Sequence, residues 1–332
     1  MFQIKLNEGT MKNNLLRIML LAAGLLLGTT QAMAYPDKPV RVIVPWPAGG
    51  GADYVGRAFG KELSEIWKQP VVIDNIGGAG SIVGAERAAR AAPDGYTFMV
   101  TINGTITSNR FLYKNMPYDP DRSFMPVSLL VQSGQLILVN KSVKADNLKD
   151  FVDYVRKQPG GVSYASYGNG TQPHLLFELL KKREKIDMLH VPYKGLAPAL
   201  TGVMGNEVQL TIVSPSSATA ALGSGRTKPL AIGSSTRASV MPNVPTVAES
   251  GYPYLNATIW FGMFAPKGTP QAIIDKVQQD IATVVKRPDF AKALEERGFD
   301  IVASTPAQFT KVIQEEVART AEMAEAANVK PE

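Results

Sequence analysis

Apolar residues along this chain fall into two alternating rhythms, and each rhythm points to an element type. In "KPVRVIVPW", residues 38–46, β-branched residues crowd a short run, which predicts a strand. "ADYVGRAFGKELSEIWKQ" follows, with Val55, Phe59, Leu63 and Ile66 near helical spacing. "PVVIDNIGG" predicts a second strand running into a glycine turn. "SIVGAERAARAA" predicts a helix stopped by Pro93-Asp94-Gly95, and "YTFMVT" a third strand. Strands alternating with helices predict a mostly parallel sheet with helices on its faces.

The rhythm resumes after Asn140. "NLKDFVDYVRKQPGG", "PHLLFELLKKR", "APALTGVMGN" and "SSATAALGSG" predict helices, interleaved with the strands "VSYAS", "DMLHVPY", "VQLTIVS" and "KPLAIGSS". Three further helices, punctuated by proline or glycine, are predicted in "PQAIIDKVQQDIATVVKRP", "PDFAKALEERG" and "PAQFTKVIQEEVARTAEMAEAA". Two segments join the α/β sets. Residues 125–140, "MPVSLLVQSGQLILVN", leave the first, and residues 255–266, "LNATIWFGMFAP", return to it. Both are apolar, unlike a flexible linker between separate beads. The expectation is an α/β protein of two lobes. Residues 35–134 and 255–332 make a discontinuous lobe 1, residues 135–254 make lobe 2, and two crossing strands form a hinge.

Composition narrows the chemistry. The 332 residues are 45% hydrophobic, enough for a large core. The absence of cysteine excludes disulfides, thiol catalysis and cysteine-ligated metals. Two histidines, His174 and His190, are too few for a histidine-rich metal site. "MKNNLLRIMLLAAGLLLGTTQAMA" has the charged, apolar, small-x-small order of a secretory signal, with cleavage expected after Ala34 and translation starting at Met1 or Met11. The mature protein is therefore expected in the periplasm. Loss of Lys5, Lys12, Arg17 and Glu8 lowers the formal charge from +6 to +4. A mild, scattered positive charge gives little support to nucleic-acid binding and suits a small anion.

"PWPAGGGAD" sits where a strand hands over to a helix. Glycines there let main-chain N–H groups approach a ligand, and the helix start offers unpaired donors and a positive dipole end. The spacing matches neither G-x-G-x-x-G nor G-x-x-x-x-G-K-[ST], so nucleotide readings are weak, and a merely permissive turn is the alternative. The device recurs in "SYGNGTQPHLL" (166–176), "TINGTITS" (101–108) and "VPYKGLAPAL" (191–200). Such loops at strand carboxyl ends point to a ligand cleft between lobes.

"YPDKPVRVIVPWPAGGGAD", "IGGAGSIVGAERAARAAPDGYTFMV", "MPYDP…FMPVSLL", "HVPYKGLAPAL" and "FGMFAPKGTP" occur in an order that resembles the Bug family, the extracytoplasmic solute receptors of tripartite tricarboxylate transporters. The resemblance covers essentially all of the mature chain. It implies a type II (Venus flytrap) periplasmic binding protein, monomeric and without metal or cofactor, that closes on a small carboxylate and delivers it to membrane permease subunits. It implies that Ala48, Gly49 and Gly50 grip a carboxylate through main-chain groups, with Asp53 orienting a bridging water or capping its helix. Gly168, Gly170 and Thr171 form the facing grip. Asn103 and Thr105 bond from a third loop or serve ordinary turn chemistry. His174 faces the site or only packs, and His190 is a core histidine. Tyr193 and Lys194 open a helix, with Lys194 either pairing with a distal carboxylate or solvated. Trp46 and Trp260 are cleft walls or core and hinge packing.

One departure bears on specificity. Many relatives place an acid after the strand matching "QLTIV", where this chain has Ser214-Pro215-Ser216-Ser217. A buried ammonium without an anionic partner is costly, so α-amino acids are disfavoured against di- or aromatic carboxylates. A secreted hydrolase is the rival reading. It lacks a G-x-S-x-G elbow, and Ser166 near His174 has no evident orienting acid. A receptor that signals to a membrane kinase would use the same cleft.

Overall fold

The computed structural model describes residues 35–331; the expected signal segment, residues 1–34, lies outside the described residues. The chain divides into two units, Met1–Asp37 and Lys38–Glu332. The first contributes only residues 35–37 to the described part, with a cis Tyr35–Pro36 bond. The second holds two sheets.

In chain order the elements of the first sheet and its helices begin with β1 (Val40–Val44), α1 (Gly51–Trp67), β2 (Val71–Asn75), α2 (Ile82–Ala89) and β3 (Thr97–Ile102). Two single-turn helices follow, α3 (Asn103–Ile106) and α4 (Asn109–Leu112), and then β4 (Phe124–Gly134). The second sheet is built from β5 (Leu136–Asn140), α5 (Leu148–Arg156), β6 (Ser163–Ser166), α6 (Gln172–Glu184), β7 (Leu189–Pro192), α7 (Leu196–Met204), β8 (Leu210–Val213), α8 (Pro215–Gly223) and β9 (Thr227–Ile232). The chain then returns through β10 (Thr258–Pro266), α9 (Gln271–Val284), α10 (Pro288–Glu295), β11 (Asp300–Ile301) and α11 (Pro306–Ala326). The six-stranded sheet runs β11-β4-β10-β3-β1-β2 and the five-stranded sheet β7-β6-β8-β5-β9.

The predicted strands and helices form, but the sheets are mixed rather than mostly parallel. β1, β2 and β3 pair in parallel, whereas β10 lies antiparallel between β3 and β4. In the other sheet β6 pairs in parallel with β7 and β8, and β5 is antiparallel to β8 and β9. The strands that run against their neighbours are β10, by which the chain returns to the first sheet, the short edge strand β11, and β5, by which it enters the second. An outgoing and a returning strand laid side by side must run in opposite directions. At the crossing, Gln135 N–H donates to the Ala257 carbonyl at 3.1 Å, Gly233 N–H to the Gln135 carbonyl at 2.8 Å, and Ala257 N–H to the Gly233 carbonyl at 3.0 Å.

The helices bury the stripes that their spacing predicts. α1 turns Val55, Phe59 and Leu63 into the core, each contributing about 1.5–3 kcal/mol. α11 starts with a Thr305–Gln308 capping box and a proline in its first turn. Its first half packs Phe309 and Ile313 among Met99, Trp260 and Phe264 of the first sheet's core. Its last turns carry Met323 into the core that Tyr164, Phe177 and Leu255 build at the second sheet. Residues 323–329 therefore pack with that core, although the sequence reading allots the whole of 255–332 to the first lobe.

Gly84 of α2 lies against the turn that carries Trp46. A Cβ there would overlap the Ile76 carbonyl oxygen and the Cα of Pro45. Gly84→Ala is expected to cost about 1–3 kcal/mol by overpacking, read as a lower urea midpoint with an unchanged slope.

Candidate functional site

The strands β1, β3 and β6 end on a common cavity of about 430 Å³ between the sheets, a volume typical of small-molecule sites. Trp46 comes from the loop after β1, Asn103 and Gly104 follow β3, and Tyr113 follows α4. Tyr167 and residues 169–172 come from the turn between β6 and α6. Asn256 and Ile259 come from the crossing segment, and Glu316, Arg319, Thr320 and Met323 from α11. Trp46, Ile102 and Ile259 also wall an adjoining recess of about 370 Å³ that reaches Ala48 and Gly50.

The loop at 47–50 is exposed, and Gly49 has a left-handed φ of 87°. Its N–H is not free. It donates to Asp53 Oδ2 at 2.8 Å, and Arg57 Nε stands 2.8 Å from Oδ1. Burial pushes the Asp53 carboxyl up, but the Gly49 bond and the Arg57 guanidinium more than offset it and hold the pKa below the ordinary value. Asp53 thus braces its own loop, and Gly49 is excluded as a free donor. The start of α1 remains: no side chain caps it, and Gly50, Gly51 and Ala52 line the recess. Orphan amides at a helix start attract anions.

The facing turn is arranged in the same way. Gly168 N–H is bound to Ser166 Oγ at 3.3 Å, and Gly170 N–H to His174 Nδ1 at 3.0 Å. Thr171 Oγ1 donates to the Gly168 carbonyl at 2.7 Å. Neither glycine amide is free, contrary to the sequence expectation, and Gly168 does not line the cavity. α6 begins after Thr171 without a side-chain cap, and Thr171 and Gln172 line the cavity. His174 lies in a separate recess with Asn169, Gly170 and residues 327–330. It stacks on His190 at 4.1 Å between centroids, and His190 stacks in turn on Tyr164 at 5.0 Å. Ser166 Oγ meets His190 Nε2 at 2.7 Å, not His174. The hydroxyl is fully buried, and no carboxylate bonds either ring among the described residues, so nothing equips it as a nucleophile.

Other expected contacts fall elsewhere. Thr105 is fully buried and shares hydrogen bonds with Thr101 at 2.6 Å and Ser81 at 2.8 Å; Trp46 Nε1 donates to the same Thr101 at 3.2 Å. Thr105 therefore supports the wall from behind. Trp260 points to the opposite face of β10 from Ile259 and Phe261, as strand alternation requires, and packs edge-on against Phe309 at 5.0 Å. Tyr193 bonds Glu207 at 3.2 Å and packs near α7, and Lys194 is exposed. Neither lines the cavity.

The sequence reading predicts α11 as a helix but assigns none of its residues to the site. Phe309, Ile313, Glu316, Thr320 and Met323 form its buried row, at spacings of three and four. Two polar residues in an otherwise apolar row were the available signal. Glu316 is 8% exposed. It accepts from Asn103 Nδ2 at 2.7 Å and from Trp260 Nε1, with Arg319 3.7 Å away. Burial pushes its pKa above the ordinary carboxylate value, and Arg319, Asn103 and Trp260 recover only part of that.

Glu316→Leu leaves Trp260 Nε1 without its acceptor and Asn103 Nδ2 with only the Thr258 carbonyl at 3.2 Å. It is expected to lose about 2–5 kcal/mol of stability, read as a reduced chemical-denaturation midpoint. Burial, then the neighbouring His174, pushes His190 down to about 4; Lys181 adds to this and Glu178 opposes it, both with smaller effects. The unfolded imidazole takes up its proton near pH 6.5, so the stability that neutral His190 gives above about pH 6.5 is lost as pH falls towards 4. Partial exposure limits this to roughly 1–2 kcal/mol, and His190→Gln should flatten that limb in thermal melts.

Comparison with known proteins identifies the family. Residues 55–329 match the TctC family, described as tripartite tricarboxylate transporter family receptor. Protein BugT of Bordetella pertussis strain Tohama I is 33% identical over 291 residues, covering 87% of this chain and 89% of that protein. An R. palustris protein solved with adipate is 31% identical with a TM-score of 0.75, covering 90% of this chain and all of that one. MatC from Rhodopseudomonas palustris, with bound malate, is 32% identical with a TM-score of 0.70, covering 87% and 100%. The fold is that of the periplasmic binding proteins, and the work of such proteins is solute capture rather than catalysis. This chain belongs to the TctC, or Bug, family of periplasmic solute-binding receptors of tripartite tricarboxylate transporters.

Proposed function

We propose that this receptor captures a small carboxylate lacking an amino group in the cavity between its sheets and delivers it to the membrane permease of a tripartite transporter. In this reading residues 135–254 form one lobe and residues 35–134 with most of 255–332 the other. The signal is removed after Ala34, and the mature chain acts as a monomer. The observation that carries the proposal is the pair of uncapped helix starts, at α1 and α6, that open on the cavity and its recess from opposite sheets. Each offers main-chain donors and the positive end of a dipole to an anion. Trp46 shares both spaces and serves as a rigid wall, and Asn103 and Thr171 edge the guest. Relatives solved with adipate and malate support the ligand class.

Capture proceeds by population shift: a solute that bridges both lobes binds the closed form better than the open one. The case against an amine rests on charge. Ser214 caps α8 through Ser217, so no acid stands after β8. Both oxygens of Glu316 already accept from Asn103 and Trp260. An ammonium in this cavity finds no free anion.

A thermal-shift screen of the purified protein tests the reading. The largest rises in Tm are expected from amine-free di- and aromatic carboxylates. A largest response to aspartate or glutamate would overturn the amine exclusion, and no response to any carboxylate would overturn the whole assignment.

A further inference from the structure

Segments that follow strands of the two sheets touch at two places, and the two contacts differ. At one, Gly298 in the turn after α10 faces Pro215 at the start of α8 and Val240. A Cβ built on Gly298 would lie 3.8 Å from Pro215 Cβ and 4.0 Å from Val240 Cγ2, an ordinary van der Waals separation. At the other, Gly170 in the turn between β6 and α6 faces Leu112 at the end of α4. A Cβ on Gly170 would lie 2.5 Å from Leu112 Cδ2 and 3.3 Å from Cδ1, so only a bare Cα fits. Gly170 is buried, with a left-handed φ of 74°. Leu112 and Gly170 line both the cavity and the recess of about 340 Å³ that holds His174, so their contact is part of the wall between the two spaces.

His174 fixes the glycine. Its Nδ1 accepts the Gly170 N–H at 3.0 Å, which it can do only as a neutral ring with its proton on Nε2. Protonation would set one donor against another. The charged and titratable groups around the ring are Glu178 and Lys181 on its own helix, His190 on β7, Tyr113 after α4, and Lys330 in the same recess. Burial, aided by Lys181, outweighs Glu178 and holds the His174 pKa below its ordinary value.

We infer that Leu112 seated on Gly170 is the catch that holds the two lobes together around a solute, and that His174 is the positioning residue that keeps the catch in shape. The inference rests on the proposed two-lobe capture and deepens it. A charged His174 lets go of the Gly170 amide, and the turn loses the form that Leu112 fits. The same turn carries Thr171 and Gln172, which line the cavity. The receptor therefore holds its solute above the ordinary imidazole range and loosens its hold as pH falls through and below it.

The chain has no cysteine, so Lys61→Cys and Lys157→Cys, both at exposed positions and one in each proposed lobe, accept a fluorophore pair whose energy transfer reads the closed fraction. Titrations with adipate, malate and benzoate at about pH 7.5 and about pH 5.5 give affinity and closed fraction together. Leu112→Ala should weaken binding at least about five-fold at the higher pH and lower the closed fraction. The labelled parent should bind about three-fold or more weakly at the lower pH. His174→Asn places an Oδ1 acceptor that does not titrate where Nδ1 stood. It should keep the higher-pH affinity within about two-fold and lose most of the pH dependence, whereas His174→Leu should bind weakly at both. Protonation of the solute itself affects every variant alike. Unchanged affinity and closed fraction in Leu112→Ala would overturn the catch. A His174→Asn protein as pH-dependent as its parent would overturn the role of His174. Energy transfer that responds to none of the three solutes would overturn the two-lobe capture, and the catch with it.

Discussion

The Glu316 carboxylate is the constraint on which the arrangement of this molecule depends. It accepts from Asn103 at the end of β3 and from Trp260 on the returning strand, and it stands near Arg319 on its own helix. Three segments far apart in sequence are fixed to one acidic group. Taking a carboxylate out of water is expensive, and its pKa is raised accordingly. The expense is offset only if every donor stays in place. A buried group of this kind tolerates one geometry, and that geometry fixes α11 against the end of β3 and the returning strand at the wall of the cavity.

The glycine turns act in a second, less direct way. Backbone donors in an exposed loop are useful to a ligand only when they are not consumed locally. Here Gly49, Gly168 and Gly170 are consumed, by Asp53, Ser166 and His174. Their bonds lock the loops so that the next residues, the first of α1 and α6, present amides with no side-chain cap. The glycine supplies the turn, and the helix start supplies the field.

Most of the fold could be read from the sequence, because periodicity reports local geometry. Residues 38–46 and 51–67 announce a strand and a helix without tertiary information. What periodicity cannot report is which amide bonds which side chain, so Gly49 and Gly170 look like free donors until Asp53 and His174 are placed. The face of β10 that meets the cavity was also hidden. Trp260 is the conspicuous residue, but Ile259 and Phe261 are the ones that line the recess. The short helices α3 and α4, four residues each, carry no periodic signal. The role of α11 escaped because Glu316 and Thr320 look like surface residues unless the buried row is traced through Phe309 and Ile313.

That last helix has a mechanical consequence. A clamshell joined only at its crossing strands can gape freely. Here a rigid rod of 21 residues is rooted in one half by Phe309 and Ile313 and anchored in the other by Met323. Any movement of one sheet against the other must therefore bend this rod or draw Met323 out of its packing with Tyr164, Phe177 and Leu255.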